Sequence, residues 1–298
     1  MSVTQQHQAS RSEMLSLRGM QHHVRHWGNS GDRKLFLIHG WMDSSPTFQF
    51  VVDALAADWH VIAPDLRGFG KTQWLNQPYW FPDYYADLHD LLKHYTPDEP
   101  ALLVGHSMGA AIASTYAAMK PERVARLVMI DFLGIKPSKD ANPTDQLNKW
   151  LKDFESPPRL RLYKSFEALA GRLKSVNARL TDARADFLAR NVGKALGPEH
   201  VAMACDPWHK TPSALMYRMD DSQSIWRRIK APTLMLMADF GYVRLRYTED
   251  EAQYVASLNC FENLQATTVL NSGHNIQHDQ PEVLAELLEQ FLLSGVED

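Results

Sequence analysis

With 298 residues, 45% of them hydrophobic and eight of them tryptophan, the chain can bury a substantial core. That composition excludes disorder outside the ends and fits one large domain carrying an inserted subdomain. A formal net charge of −4 leaves no basic stripe to track phosphates, so nucleic acid is not an expected partner.

The segment 14–27 alternates in the manner of an antiparallel hairpin at a sheet edge. Short apolar runs then recur at 34–38, 60–63, 101–105, 127–130, 233–237 and 266–270. Each is apolar on both faces and bounded by turn residues, the pattern of parallel strands covered by helices. Helical patterns fall between them at 48–57, at 84–95 with Pro97 as a stop signal, at the alanine-rich 108–119, and at 282–293. The alternation predicts a doubly wound, mostly parallel α/β sheet. It breaks once. From 133 to 229 no parallel strand is evident, and Trp150, Phe154, Tyr163, Phe166, Trp208, Tyr217 and Trp226 are scattered through charged helical sequence. This segment reads as a helical cap, most of whose aromatics form its own core, inserted into a sheet domain made of 1–132 and 230–298.

Other features are expected to be bland. Cys205 and Cys260 form neither a C-x-x-C pair nor a disulfide framework. His22, His23 and His26 read as exposed polar residues rather than metal ligands, and no H-E-x-x-H is present. The N-terminal stretch lacks an apolar leader, and no apolar run approaches the roughly 18 residues that span a membrane. The expectation is a soluble, cytoplasmic protein with no membrane span, whose first dozen residues are frayed.

Gly105-His106-Ser107-Met108-Gly109 matches G-x-S-x-G directly after an apolar run and directly before a helical one. In that context the serine sits on a strained turn at a helix N-terminus, where developing negative charge is favoured. Acyl transfer also needs N–H donors where the carbonyl oxygen becomes negative. Met108, after the serine, and Trp41, in His39-Gly40-Trp41 after the 34–38 run, are the candidates. Among 13 histidines, His274 follows the last strand pattern on a short loop and is placed to act as general base; His106 lies inside the turn and His278 a helical turn later. The acid that orients the base has two candidates at strand ends, Asp131 and Asp239.

Taken together, these motifs resemble the α/β-hydrolase superfamily. The resemblance rests on His39-Gly40-Trp41, Pro64-Asp65-Leu66-Arg67-Gly68-Phe69-Gly70, Gly105–Gly109, Ala231-Pro232-Thr233-Leu234 and Gly273-His274. Within it, His39-Gly40-Trp41-Met42-Asp43, Asp206-Pro207-Trp208-His209 and Ile225-Trp226-Arg227-Arg228-Ile229 look most like the serine hydrolase-like proteins of carboxylesterase type. The resemblance implies an ester-cleaving serine hydrolase that needs no metal or organic cofactor and takes an apolar small molecule. The commoner position for the family's acid falls on Gly241, with Asp239 two residues early. Some branches place the acid after the earlier strand, where Asp131 stands, so Asp131 is preferred. Asp65 and Arg67 are expected to tie loops. The rival chemistries on the same triad are carbon–carbon bond hydrolysis and cofactor-free dioxygenation of a heteroaromatic ring. In the dioxygenases a second histidine usually follows the serine, where Met108 stands here.

Overall fold

In the computed structural model, residues 7–135 and 142–294 are described. Strands β1 (Arg11–Leu17), β2 (Met20–Trp27), β3 (Arg33–Ile38), β4 (Trp59–Pro64), β5 (Ala101–His106) and β6 (Val124–Ile130) come first. Strands β7 (Gly193–Ala195) and β8 (Val201–Met203) pair only with each other, and β9 (Thr233–Phe240) and β10 (Leu264–Gly273) follow. The main sheet has eight strands in the order β1-β2-β4-β3-β5-β6-β9-β10. Its β1–β2 and β2–β4 pairs are antiparallel and the remainder parallel.

Side-chain alternation along the central strands builds two cores. Phe36 and Ile38 of β3, Leu103 of β5, and Leu127 and Met129 of β6 face one side. Leu35 and Leu37, Val104, and Val128 and Ile130 face the other. Helices α1 (Gln49–Ala54), α2 (Pro82–Tyr95) and α3 (Met108–Met119) connect these strands. In α2, Tyr84, Leu88, Leu91 and Leu92 form one buried stripe at helical spacing, with Pro82 in the first turn and Lys93 and His94 in the last. It covers the first core together with α3. The second core is covered by α1 and by the last helix, Pro281–Leu292.

Between β6 and β9 lie α4 (Pro143–Glu155), α5 (Phe166–Val176), α6 (Asp182–Val192) and α7 (Met219–Trp226), with the β7–β8 hairpin among them. That hairpin was not foreseen, because each of its strands has only three residues. Of the seven aromatics noted in this stretch, Trp226 is fully enclosed, stacked on Phe261, while Phe154 is exposed and the others are partly buried. Tyr163 and Phe166 pack against a small cluster of Leu169, Ala189 and Val201, while Tyr217 and Trp226 pack into the first core of the sheet domain. After β9 come α8 (Tyr242–Arg246), α9 (Glu251–Leu258), α10 (Ile276–Asp279) and α11 (Pro281–Leu292).

The topology fixes where a ligand can bind. β3 leads to β4 on one side, whereas β5 leads to β6 on the other, so the order reverses between β3 and β5. A crevice opens outside the carboxyl ends of the strands at such a reversal. His39-Gly40-Trp41 and Ser107 both sit at that edge, directly after β3 and β5.

Three expectations are corrected. β10 is an edge strand with Gln265 to Thr268 exposed, not a strand covered on both faces. The first dozen residues are not frayed throughout, because His7 Nδ1 lies 2.5 Å from Asp53 and β1 begins at Arg11. His22, His23 and His26 are buried, since β1 closes the outer edge of β2 and groups from β4, the loop after it and α2 lie beside their rings. His22 Nε2 is buried with no hydrogen-bond partner among the described residues, 3.8 Å from Asp87, whereas the other two rings find local partners. His23 bridges Asp65 at 2.7 Å and Ser12 at 2.8 Å, and His26 lies 3.0 Å from both Glu13 and His60. Among the described residues, no group of three His, Cys, Asp or Glu side chains is arranged to hold a metal ion, and no helix is long and apolar enough to cross a membrane.

Asp65 accepts the Ser45 and Lys71 amides at 2.7 and 3.0 Å, and Arg67 pairs with Asp87 through two 2.6 Å bonds, which ties the loops around β4 to α2. Burial opposes ionisation of Asp65, but the His23 contact and the Lys71 amide prevail and hold its carboxyl near 2.

Burial also pushes His209 and His278 down to about 3, and His26 to about 4, from the ordinary 6.5. The native state therefore binds fewer protons than the unfolded chain between those values. This contribution to stability is complete above pH 6.5 and is lost as pH falls toward 3. The denaturant midpoint should accordingly drop between pH 7.5 and pH 4.5, measured by tryptophan fluorescence. A flat midpoint across that range would show that these histidines are not held neutral.

Candidate active site

The turn between β5 and α3 is built by contacts too close for side chains. A Cβ on Gly105 would lie 2.4 Å from the Gly109 carbonyl oxygen, and one on Gly109 would lie 2.1 Å from that of Ile38. Glycine at both positions lets α3 pack directly against β3 and β5. Ser107 is thereby held at φ 51° and ψ −113°, a conformation that L residues rarely adopt. Its N–H donates to Ile130 at 3.0 Å, and its carbonyl accepts the Ala111 N–H at 3.1 Å to start α3. The Met108 N–H, at the first helical position, has no intrahelical acceptor.

His274 lies just past β10, beyond a register irregularity between Val269 and Gly273. Within that irregularity Asp239 accepts the Asn271 and Ser272 amides, both at 2.9 Å. Slight burial opposes the charge of Asp239, yet the Ser272 and Asn271 amides hold its carboxyl below the ordinary 3.8. Asp279 accepts the Gly273 amide at 2.7 Å from the other side of the turn.

The turn delivers His274 between two partners. Its Nε2 lies 3.0 Å from Ser107 Oγ, and its Nδ1 lies 2.7 Å from Asp131 Oδ2. Asp131 ends β6 with no solvent exposure and φ 45°. Its own N–H donates to Leu236 at 2.7 Å. Its carboxylate accepts the Tyr242 amide at 2.6 Å and the Ala238 amide at 3.2 Å. The pocket for this carboxylate exists because residue 241 has no side chain. A Cβ on Gly241 would lie 2.5 Å from both Asp131 oxygens. Of the two acids considered from sequence, Asp131 reaches the imidazole, whereas Asp239 shapes the loop that carries it. Asp239 instead lines a separate cavity of about 450 Å³ between β9, β10, α8 and α9, of which Ser107 is not a part.

Ser107 and His274 open on a cavity of about 430 Å³. Trp41, Met108, Phe132, Trp208 and Tyr242 contribute to its walls, and none of its described lining residues is Lys, Arg, Asp or Glu. The chain after β3 runs against the serine, since a Cβ on Gly40 would lie 3.3 Å from Ser107 Cβ. The Trp41 indole donates to the His209 carbonyl at 3.1 Å, which joins that loop to the 133–229 segment. His209 is held among aromatic rings. Its ring is stacked between Phe69 and Tyr79 at centroid distances of 3.8 and 3.9 Å, and it lines the cavity. His278 is buried against Thr47 at 2.6 Å. Sequence reasoning missed Tyr242, whose ring meets that of His274 edge-on at 5.9 Å. The only signal for it was its position just after Gly241, at the end of β9.

Residues 34–281 match the family model described as the alpha/beta hydrolase fold, and the chain belongs to that family. The chain is 26% identical to a serine hydrolase-like protein of Danio rerio over 277 residues, 89% of this chain and 83% of that protein. A serine hydrolase-like protein of Dictyostelium discoideum is also 26% identical, over 83% of this chain and 72% of its own length. Among solved structures, the thioesterase domain from the curacin biosynthetic pathway superposes with a TM-score of 0.83 at 23% identity, covering 95% of this chain and 99% of that domain. E-2-(acetamidomethylene)succinate hydrolase gives a TM-score of 0.76 at 19% identity, covering 96% and 100%. Family and relatives together support a hydrolase.

Gly241→Ala should force the Asp131 carboxylate out of its place. The expected result is a loss of about 1–3 kcal/mol in stability from overpacking, read by denaturant unfolding, and a weakened His274–Asp131 contact. An alanine variant as stable as the parent would show that the carboxylate does not depend on the space at residue 241.

Proposed function

We propose that the chain is a serine hydrolase cleaving an ester or related acyl bond of a neutral, apolar small molecule through an acyl-enzyme. The observation that carries this reading is the continuous contact Asp131–His274–Ser107, at 2.7 and 3.0 Å, at the mouth of an uncharged aromatic cavity. The names of the curated relatives point the same way.

In this mechanism His274 Nε2 takes the proton from Ser107 Oγ as the oxygen attacks the substrate carbonyl. Asp131 holds the Nδ1–H tautomer and offsets the charge of the imidazolium. The oxyanion is met by the N–H groups of Met108 and Trp41, the first at the N-terminus of α3 and the second on the chain that passes Ser107. His274 then protonates the leaving group, and water, activated by the same imidazole, releases the acyl group. Residues 133–229 act as a cap, with Trp208 supplying apolar wall. A charged substituent entering this cavity would lose its hydration without gaining a partner, which favours neutral substrates.

The test is turnover of p-nitrophenyl esters from acetate to decanoate. Ser107→Ala should abolish activity. Asp131→Asn should lower kcat by about 10³–10⁴-fold, because the wrong imidazole tautomer is then favoured. Asp239→Asn should cost no more than about tenfold, since an amide oxygen still accepts one of the two loop N–H groups. The reverse order would make Asp239 the acid. Fluorophosphonate labelling of Ser107 without ester turnover would redirect the search to carbon–carbon bond substrates.

A second comparison examines the cavity. An ester whose acyl chain ends in a carboxylate should react at least about tenfold more slowly than its methyl-ended isostere in kcat/KM. Equal rates would place a cation within reach of the chain end.

A further inference from the structure

His106 is buried beside Ser107 but is absent from the wall of the cavity, so it does not face substrate. Its Nε2 lies 2.8 Å from the backbone carbonyl of His274. A carbonyl only accepts, so Nε2 must carry the proton. Burial, reinforced by the neighbouring His274, holds the His106 imidazole well below the ordinary 6.5, so the ring is neutral and Nδ1 is an acceptor. Gln277, fully buried on α10, stands 3.3 Å from that Nδ1 and 3.4 Å from Thr47 Oγ1. Its amide nitrogen therefore donates twice. The orientation leaves Gln277 Oε1 buried with no partner among the described residues. An unsatisfied acceptor of this kind costs about 1–3 kcal/mol, so two donated bonds must hold the amide this way round. Thr47 continues the chain to His278 Nε2 at 2.6 Å.

The chain of contacts therefore grips the base turn at two points, the carbonyl of His274 and the side chain of Gln277, and both grips meet on the residue covalently joined to Ser107. We infer that His106 is a positioning residue, which through its two ring nitrogens and Gln277 fixes the His274 turn to the serine turn and so sets the Ser107–His274 distance. The inference rests on the triad reading for its effect on rate, but its geometric content does not depend on which bond the protein cleaves.

Two measurements test it together. Proton and ¹⁵N NMR on histidine-labelled protein should show His106 as the neutral Nε2–H tautomer and a low-field signal for the His274 Nδ1–H shared with Asp131. Kinetics on the best p-nitrophenyl ester should show kcat reduced about 30-fold in His106→Leu and about tenfold in Gln277→Met, with KM within about twofold, because the loss falls on geometry required in the transition state. His106→Gln, whose amide can still donate to the His274 carbonyl, should recover most of the rate and keep the low-field signal. Thermal unfolding monitors folding of each variant, and Gln277→Met serves if His106→Leu fails to fold. The inference is overturned if His106 is cationic or the Nδ1–H tautomer, or if a folded Gln277→Met or His106→Leu retains the wild-type signal and kcat. If no ester is turned over by the wild type, the hydrolase proposal fails while the NMR comparison still decides this one.

Discussion

A carboxylate with no solvent exposure, at the end of an interior strand, is the constraint around which the site is organised. Left unpartnered, the Asp131 side chain would cost several kcal/mol, so its oxygens must be occupied by donors. Backbone amides of Ala238 and Tyr242 supply two of them, which requires the end of β9 to bend around the carboxylate. The third is His274 Nδ1, which fixes the tautomer of the imidazole and leaves Nε2 for Ser107. Absence of a side chain at Gly241 makes the arrangement possible. One missing carbon just past β9 thus leaves the space in which the Asp131 carboxylate meets the imidazole.

Sheet order explains why residues so far apart in sequence can meet. β5, β6 and β9 are consecutive neighbours, so Ser107, Asp131 and the Ala238–Tyr242 turn stand side by side at the same edge. His274 reaches them from β10, the next strand, and its loop is held by carboxylates on both sides, Asp239 and Asp279. Ser107 and Asp131 both take positive φ, and in each case a backbone bond to the neighbouring strand locks the turn.

Much of this was legible in the sequence, for physical reasons that differ by element. The interior strands announce themselves because two covered faces demand continuous apolar residues, as in Leu103-Val104 and Leu127-Val128-Met129-Ile130. Ser107 and His274 could be singled out because their motifs fall at strand ends, and the fold brings the two side chains within 3.0 Å. Choosing between Asp131 and Asp239 was harder, since both close an apolar strand. What separates them is a space at residue 241 and a bend in β9, which appear only when β6 and β9 lie side by side. The histidines of β2 were misjudged because the groups beside their rings come from elements distant in sequence: Asp87 of α2, Asp65 just past β4, and His60 of β4. In β10 the sequence Ala266-Thr267-Thr268-Val269 carries β-propensity without revealing whether a further layer covers it.

That last strand has a consequence for where order resides in the molecule. β10 is uncovered over most of its length and paired along one side, the features of a segment at the low end of local stability. The imidazole of His274, however, is not held by that strand alone. His274 is held through Asp131 on β6 and His106 on β5, and its loop through Asp239 on β9. An exposed edge strand of the sheet thus carries a group that is secured from the sheet's interior.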